Sequence, residues 1–148
     1  MQETNSGVIS PCTQKGFMMY KIQKIPEGFK LTFSGFMTAD EVTKWFNDSK
    51  RALTTAPQSF GIFVDMRTLN PLPTDAQAIL QEGQKLYKTK GMKRSVVILA
   101  GAIQTMQFRR IAKETGIDKW ERYIDASKSA GWEKKGLAWI SKGVEPGR

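Results

Sequence analysis

The sequence predicts an α/β fold: a single domain with a mixed five-stranded sheet and four helices, in the order ββαβαβαβα. Residues 60–66 and 95–100 are continuous apolar runs with β-branched members, which is typical of strands covered on both faces. Stretches with apolar residues at 3.6-residue spacing separate and follow these runs. Because buried strands that alternate with helices need crossover connections, the centre of the sheet is predicted to be parallel.

The first two strands are predicted to form an antiparallel hairpin. Residues 17–22 alternate their side chains as a strand does, and residues 26–28, Pro-Glu-Gly, form a turn signal. Residues 29–36 alternate again, and two strands joined by so short a turn pair antiparallel.

The first helix begins with a capping box at residues 38–41, where a Thr is followed three residues later by a Glu. The helix is predicted to end before Pro57. Its side chains at helical spacing are Val42, Trp45, Phe46, Ser49 and Leu53. This stripe predicts that Trp45 is a core residue rather than part of a binding site.

The second helix follows the strand at residues 60–66 and is predicted to begin with Thr74 as its N-cap, in the segment 74–77. Gly91 is expected at its C′ position. Its apolar stripe comprises Ala76, Ile79, Leu80, Gly83 and Tyr87.

The remaining elements complete the alternation. A third helix is predicted over residues 102–115, ending at Gly116, and a short fifth strand over residues 122–124. The last helix is predicted over residues 129–140, with Trp132, Gly136 and Trp139 on one side. Residues 1–15 are polar and are expected to be a flexible leader, so the domain is assigned to residues 16–143.

Composition excludes several classes of chemistry. The chain has 148 residues, no histidine and one cysteine, Cys12. It therefore has no Ser-His-Asp or Cys-His catalytic group, no His-ligated or thiolate-ligated zinc, no iron–sulfur cluster and no intrachain disulfide. We expect no catalytic residues, no metal and no cofactor.

The expected location is the cytoplasm. One unpaired cysteine suits a reducing compartment, and no apolar stretch is long enough for a transmembrane segment. Residues 1–13 have neither the basic nor the apolar region of an export signal.

An ordered set of short motifs carries a family resemblance. These motifs are Ser-Gly-Phe-Met-Thr-Ala-Asp-Glu at 34–41, Val-Asp-Met-Arg at 64–67, Arg-Tyr-Ile-Asp at 122–125 and Gly-Leu-Ala-Trp-Ile at 136–140. Over residues 17–142 the chain resembles the STAS-type domain of the anti-sigma-factor antagonists. It most resembles their sporulation-AA-like branch, whose fold has been compared with CRAL-TRIO lipid-binding domains. The resemblance implies a STAS-like fold and a non-enzymatic regulatory module that binds a protein.

The chain departs from the family pattern at one position. Regulated STAS antagonists carry a phosphorylatable Asp-Ser at the start of the helix after the central strand. Here residues 70–75 read Asn-Pro-Leu-Pro-Thr-Asp, so Thr74 is the nearest hydroxyl. Thr74 is either a phosphorylation site or simply the helix N-cap, which is worth about 1 kcal/mol.

Polar side chains follow the parallel strands, where ligands bind in open α/β sheets. Asp65 is either a metal ligand or base, or a structural acceptor that pairs with Arg67. Residues 101–103, at a helix start, either offer backbone N–H groups to an anion or contain only an ordinary turn glycine. The polar side chains of these loops are Asp65, Arg67, Thr68, Asn70, Gln104, Asp125, Ser127 and Ser129.

The net charge of +9 is concentrated in one stretch. Residues 85–122 hold ten Lys and Arg against three Asp and Glu, which makes either a solvated lysine-rich face or a patch for an acidic or phosphate-bearing partner. The core stripe of the third helix is predicted to be Phe108, Ile111, Ala112 and Thr115.

Another side of the third helix is predicted to hold the interface. Ile103 and Met106 either form an interface rimmed by arginines or pack under the loop 69–73. Leu69 is a further candidate for the same surface. The predicted contact set is Leu72, Ile103, Met106, Arg109 and Arg110, with Asp65 and Arg67 nearby at the strand ends.

The sequence thus favours an interaction module with a protein partner, or with a second copy bound through the first strand or the helix surface. The alternative is a carrier of a small apolar or anionic ligand in a cleft between helices and strand ends. Nucleic-acid binding is disfavoured because Tyr87 and Phe108, two of the three aromatics in the basic stretch, lie on core stripes.

Overall fold

The computed structural model describes residues 19–147, which form one five-stranded sheet and four α-helices. The strands are β1 (Tyr20–Ile25), β2 (Gly28–Gly35), β3 (Phe60–Leu69), β4 (Met92–Leu99) and β5 (Glu121–Asp125). The helices are α1 (Ala39–Ala52), α2 (Thr74–Thr89), α3 (Ala102–Thr115) and α4 (Trp132–Lys142). The predicted α/β class and the order ββαβαβαβα are confirmed. Residues 1–15 and Cys12, for which a leader was predicted, lie outside the described residues.

The sheet has the strand order β1-β2-β3-β4-β5. β1 pairs antiparallel with β2 through a loop of Pro26 and Glu27, whereas the other neighbouring strands pair parallel. The hairpin and the parallel centre are confirmed, although β1 extends to Ile25 because a two-residue loop lets Ile25 pair with Gly28. Among residues 19–147 the order of the parallel strands never reverses, so this part of the chain has no switch point of the kind at which a ligand crevice opens.

Two cores lie on opposite faces of the sheet. The larger core contains Ile62 and Val64 of β3 together with buried residues of α1, α2 and α3. The smaller core contains Phe63, which points to the other face, with Trp139 and Ile140 of α4. β3 is buried from Phe60 to Met66 because helices cover both of its faces, as the continuous apolar run predicted.

The start of α1 is a complete capping box. The backbone N–H of Glu41 donates to Thr38 Oγ1 at 3.3 Å, and the backbone N–H of Thr38 donates to Glu41 Oε1 at 2.9 Å. Trp45 is 1% exposed and stacks on Tyr87 of α2, with ring centroids 5.9 Å apart. Both the cap and the core position of Trp45 are confirmed.

The start of α2 differs from the prediction. Pro73 occupies the N-cap position, and its side chain makes no capping hydrogen bond. Thr74 is instead the first helical residue and is exposed, so its assignment as the N-cap is wrong. The extended backbone of Pro73 leads directly into the helix, and the Gln77 side-chain amide donates to the carbonyl of Leu72 at 2.8 Å.

The boundaries of α3 match the prediction, and Gly116 ends it in the left-handed conformation. α4 begins at Trp132 rather than at residue 129, because residues 126–131 first form a turn in which the backbone N–H of Lys128 donates to the carbonyl of Asp125 at 3.1 Å. No helix formed by residues 19–147 combines the length and the apolar character needed to cross a membrane.

Candidate functional site

The outer side of α3 carries large apolar side chains that are open to solvent. Ile103 is 73% exposed, Met106 65% and Ile111 49%. These are three of the five exposed large apolar side chains among residues 19–147. The exposed cations Arg110 and Lys113 lie beside them. We call these five residues the α3 face; an apolar group ringed by cations has the composition of a binding surface.

The α3 face is exposed because α3 covers only the edge of the sheet. Its buried residues are Thr105 and Ala112, and Phe108 packs half-buried against Tyr123 with ring centroids 5.8 Å apart. The prediction that Ile111 and Thr115 belong to the core stripe is therefore wrong. The helix turns about 100° per residue, so the narrow contact centred on Ala112 leaves its neighbour Ile111 outside.

The loop before α2 does not cover this face. Because Ile103 and Met106 are largely exposed, the alternative that they pack under the loop 69–73 is wrong. Leu72 and Leu69 are half-buried and pack against the larger core. The structure thus assigns Leu72 to the margin of the core and leaves the α3 residues of the predicted contact set on the surface.

The two adjacent arginines of α3 have different surroundings. Arg109 reaches across to β5 and donates from Nη2 to the carbonyl of Tyr123 at 3.0 Å. Arg110 belongs to the α3 face and points away from the sheet. Arg109 therefore fastens α3 to the edge strand, whereas Arg110 is available to a partner.

Asp65 and Arg67 form a closed pair at the end of β3. Arg67 donates to the two carboxylate oxygens of Asp65 from Nε and Nη2, each at 3.0 Å, and its guanidinium lies 4.2 Å from the ring centre of Trp132. Burial opposes ionisation of Asp65, but the hydrogen bonds and charge of Arg67 outweigh it and lower the pKa of the carboxyl. This geometry corresponds to the structural role considered for Asp65.

One of the backbone N–H groups predicted to hold an anion before α3, that of Gly101, is already engaged by the chain itself. Asp125 Oδ1 accepts from the backbone N–H of Gly101 at 3.0 Å and from that of Ser127 at 3.0 Å. The Ser127 hydroxyl also donates to this oxygen, and these bonds lower the pKa of Asp125. Gly101 therefore offers no free N–H to an external anion.

A buried carboxyl at the start of β5, that of Glu121, was not predicted from the sequence. Glu121 accepts a hydrogen bond from the Ser95 hydroxyl at 2.5 Å and another from the Tyr123 hydroxyl. Burial raises the pKa of Glu121, and the two hydrogen bonds offset this only in part. Because side chains alternate along a strand, Glu121 lies on the same side of β5 as Tyr123. This alternation is the feature of the sequence from which the burial of Glu121 could have been predicted.

We expect Glu121 to make the protein less stable as pH rises above about 4.5, the ordinary value for its pKa. Above that pH the unfolded chain releases the proton that the native state still holds, so the free energy of unfolding falls until the raised native pKa is passed. Urea denaturation between pH 4 and pH 8 measures this slope. Glu121→Gln should flatten it, while the exposed Glu114→Gln should not; equal slopes in both variants would contradict the assignment.

None of the three aromatic residues in the basic stretch 85–122 has a fully exposed ring on which a nucleic-acid base could stack. Tyr87 is buried, and Phe108 and Trp120 are half-buried. Lys88 lies over the Trp120 ring at 4.3 Å from its centre, which covers that ring further. Binding of single-stranded nucleic acid by base stacking is therefore not supported here.

The fold has a solved counterpart. An uncharacterised protein of the DUF3478 family from Shewanella loihica PV-4, described as having a SpoIIAA-like fold, superposes with a TM-score of 0.60. The two sequences are 16% identical, and the match covers 95% of this chain and 98% of that chain. The SpoIIAA-like fold expected from the resemblance is thereby confirmed. The chain matches no protein-family model and no curated protein.

Proposed function

We propose that this protein is a non-enzymatic regulatory module whose α3 face binds a protein partner. The observation that carries the proposal is that Ile103 and Met106 are largely exposed, and Ile111 half exposed, on one helix. Burying such side chains contributes about 25 cal/mol per Å², so a partner that covers all three gains several kcal/mol. The SpoIIAA-like fold and the engaged carboxylate of Asp65 agree with binding rather than catalysis.

The proposed partner surface is apolar at its centre and acidic at its rim. Arg110 and Lys113 border the apolar side chains, and the whole stretch 85–122 has ten cationic against three anionic residues. Carboxylates on the partner would pair with these cations and speed association. A second copy of this chain fits less well, because a symmetric contact through α3 would bring like charges together.

We expect Met106→Lys and Arg110→Glu each to weaken partner binding about 10- to 100-fold, the range typical of central interface residues. A pull-down from the source cells, followed by titration of the recovered partner against purified variants, measures the loss. Phe36→Lys is the matched control, because Phe36 is 74% exposed outside α3.

The two kinds of substitution separate the two contributions to binding. Arg110→Glu should also reduce the salt dependence of the association rate, whereas Met106→Lys should change mainly the dissociation rate. Both residues are exposed, so thermal stability should stay at the wild-type value. Undiminished affinity in both variants would reject the α3 face as the interface.

A further inference from the structure

The Arg122 side chain is held in a fixed orientation at the edge of the sheet. Its Nη1 donates to the carbonyls of Asp118 at 2.5 Å and Glu121 at 3.1 Å. Its guanidinium lies 4.0 Å from the ring centre of Trp139. These contacts leave one edge of the guanidinium, Nε and Nη2, to face outward. That edge matches the two oxygens of a carboxylate or phosphate.

The outward edge of Arg122 is occupied by the chain's own Glu145. The two carboxylate oxygens of Glu145 accept from Nε and Nη2 of Arg122, each at 2.8 Å. The Glu145 side chain is 64% exposed, whereas that of Arg122 is 26% exposed. An ion pair with so exposed a carboxylate contributes little net stability, so another anion can replace it at low cost.

A cleft of about 540 Å³ adjoins this ion pair. α3, β5 and residues 145–147 form most of its walls, and Arg109 and Lys113 add two cations to that of Arg122. Two buried residues also line it, Ala112 of α3 and Tyr123 of β5. The volume lies within the range of about 300–1,000 Å³ that is common for small-molecule sites.

The charges around the cleft indicate what it would bind. Without Glu145, three cations would face Asp118 and the buried Glu121. The three cations outnumber these two carboxyl groups, so the cleft attracts anions, and the presence of cations on both β5 and α3 suits a ligand with two anionic groups.

We propose that this cleft binds a small organic dianion, a phosphate monoester or a dicarboxylate, and that Glu145 occupies the anion position until the ligand displaces it. Arg122 binds one anionic group through its outward edge, while Lys113 and Arg109 attract the second charge. Residues 145–147 can move away without unwinding α4, because the backbone hydrogen bonds that close the helix involve Gly143 and Val144, which precede Glu145. The site shares Lys113 with the α3 face but does not depend on the proposed partner.

The test is calorimetric titration of the full chain with phenyl phosphate and succinate, with acetate as the monoanion. We expect Glu145→Gln to bind one of the two dianions about 10-fold more tightly than the wild type, because the internal competitor is gone. Arg122→Lys keeps the charge but removes the paired Nε and Nη2 donors of the guanidinium. This variant should bind the dianion at least about 10-fold more weakly than the wild type. Glu133→Gln, an exposed change on α4 that raises the net charge by one as Glu145→Gln does, is the control for net charge and should not alter binding.

Every outcome of the titration either supports or contradicts the proposed anion site. A preference for phenyl phosphate identifies the ligand as a phosphate ester, and a preference for succinate identifies a dicarboxylate. Equal affinity in the wild type and Glu145→Gln would overturn the role of Glu145. If Glu145→Gln binds neither dianion, or binds acetate equally well, the cleft is not the proposed site. Lys113→Gln tests the cleft without touching Arg122: it should weaken binding of the dianion and leave the melting temperature unchanged.

Discussion

Replacing Gly28 with alanine is expected to destabilise the protein by about 4 kcal/mol or more, at the extreme of what one methyl group does. Gly28 pairs with Gly61 where β2 meets β3, and its φ is +150°. A Cβ at Gly28 would lie 2.0 Å from the carbonyl oxygen of Gly61. Gly61 is itself packed against Ile140 of α4, so it cannot move aside without disturbing the smaller core.

Urea denaturation of Gly28→Ala at neutral pH measures this loss. Gly116→Ala is the matched control, because Gly116 also has a positive φ, +82°, but a Cβ there would meet nothing within 4 Å. The control should lose only the conformational cost of about 1–2 kcal/mol. Equal losses in the two variants would mean that the contact with Gly61 contributes nothing.

Replacing Gly83 with alanine is expected to cost about 2–3 kcal/mol, although the same change inside an exposed helix normally gains about 1 kcal/mol. A Cβ at Gly83 would lie 2.2 Å from two ring atoms of Trp45. The Trp45 ring cannot retreat because Tyr87 stacks on it and Phe33 meets it edge-on, with ring centroids 5.3 Å apart. A loss of stability in Gly83→Ala, rather than the usual gain, would therefore show that α1 and α2 pack too closely to accept a Cβ at this position.

A double-mutant cycle checks the explanation for Gly83. Combined with Trp45→Phe, which removes ring atoms at the contact, Gly83→Ala should lose most of its cost. Ala78→Gly, at an exposed position of the same helix, should show the ordinary preference for alanine of about 1 kcal/mol. A gain in stability from Gly83→Ala in the wild-type background would show that the helices have room to separate.

Helix α3 contributes to both proposed sites through different sides. Its outer side bears the α3 face, and Arg109 and Lys113 stand over the cleft next to β5. Lys113 borders both, so a ligand in the cleft would change the charge beside the α3 face. The two proposals are nevertheless tested by different variants, Met106→Lys for the partner and Glu145→Gln for the small anion.

Sequence alone was sufficient to identify the elements of the fold and much of their packing. The capping box at Thr38 and Glu41 involves residues three positions apart, so the sequence displays it directly. The unbroken apolar run of β3 required cover on both faces, and the structure has it. The sequence also predicted Ile103 and Met106 as part of a candidate surface, because helical spacing places them away from the buried side of α3, and both are exposed.

Only the tertiary structure decided which polar groups meet. Arg122 and Glu145 are 23 residues apart, Ser95 and Glu121 are 26 apart, and Gly101 and Asp125 are 24 apart. Periodicity predicts which side of an element is buried, since that depends on nearby residues, but a long-range pair depends on how separate elements are placed. For the same reason Ile111 could not be assigned correctly: its exposure follows from how little of α3 the edge of the sheet covers.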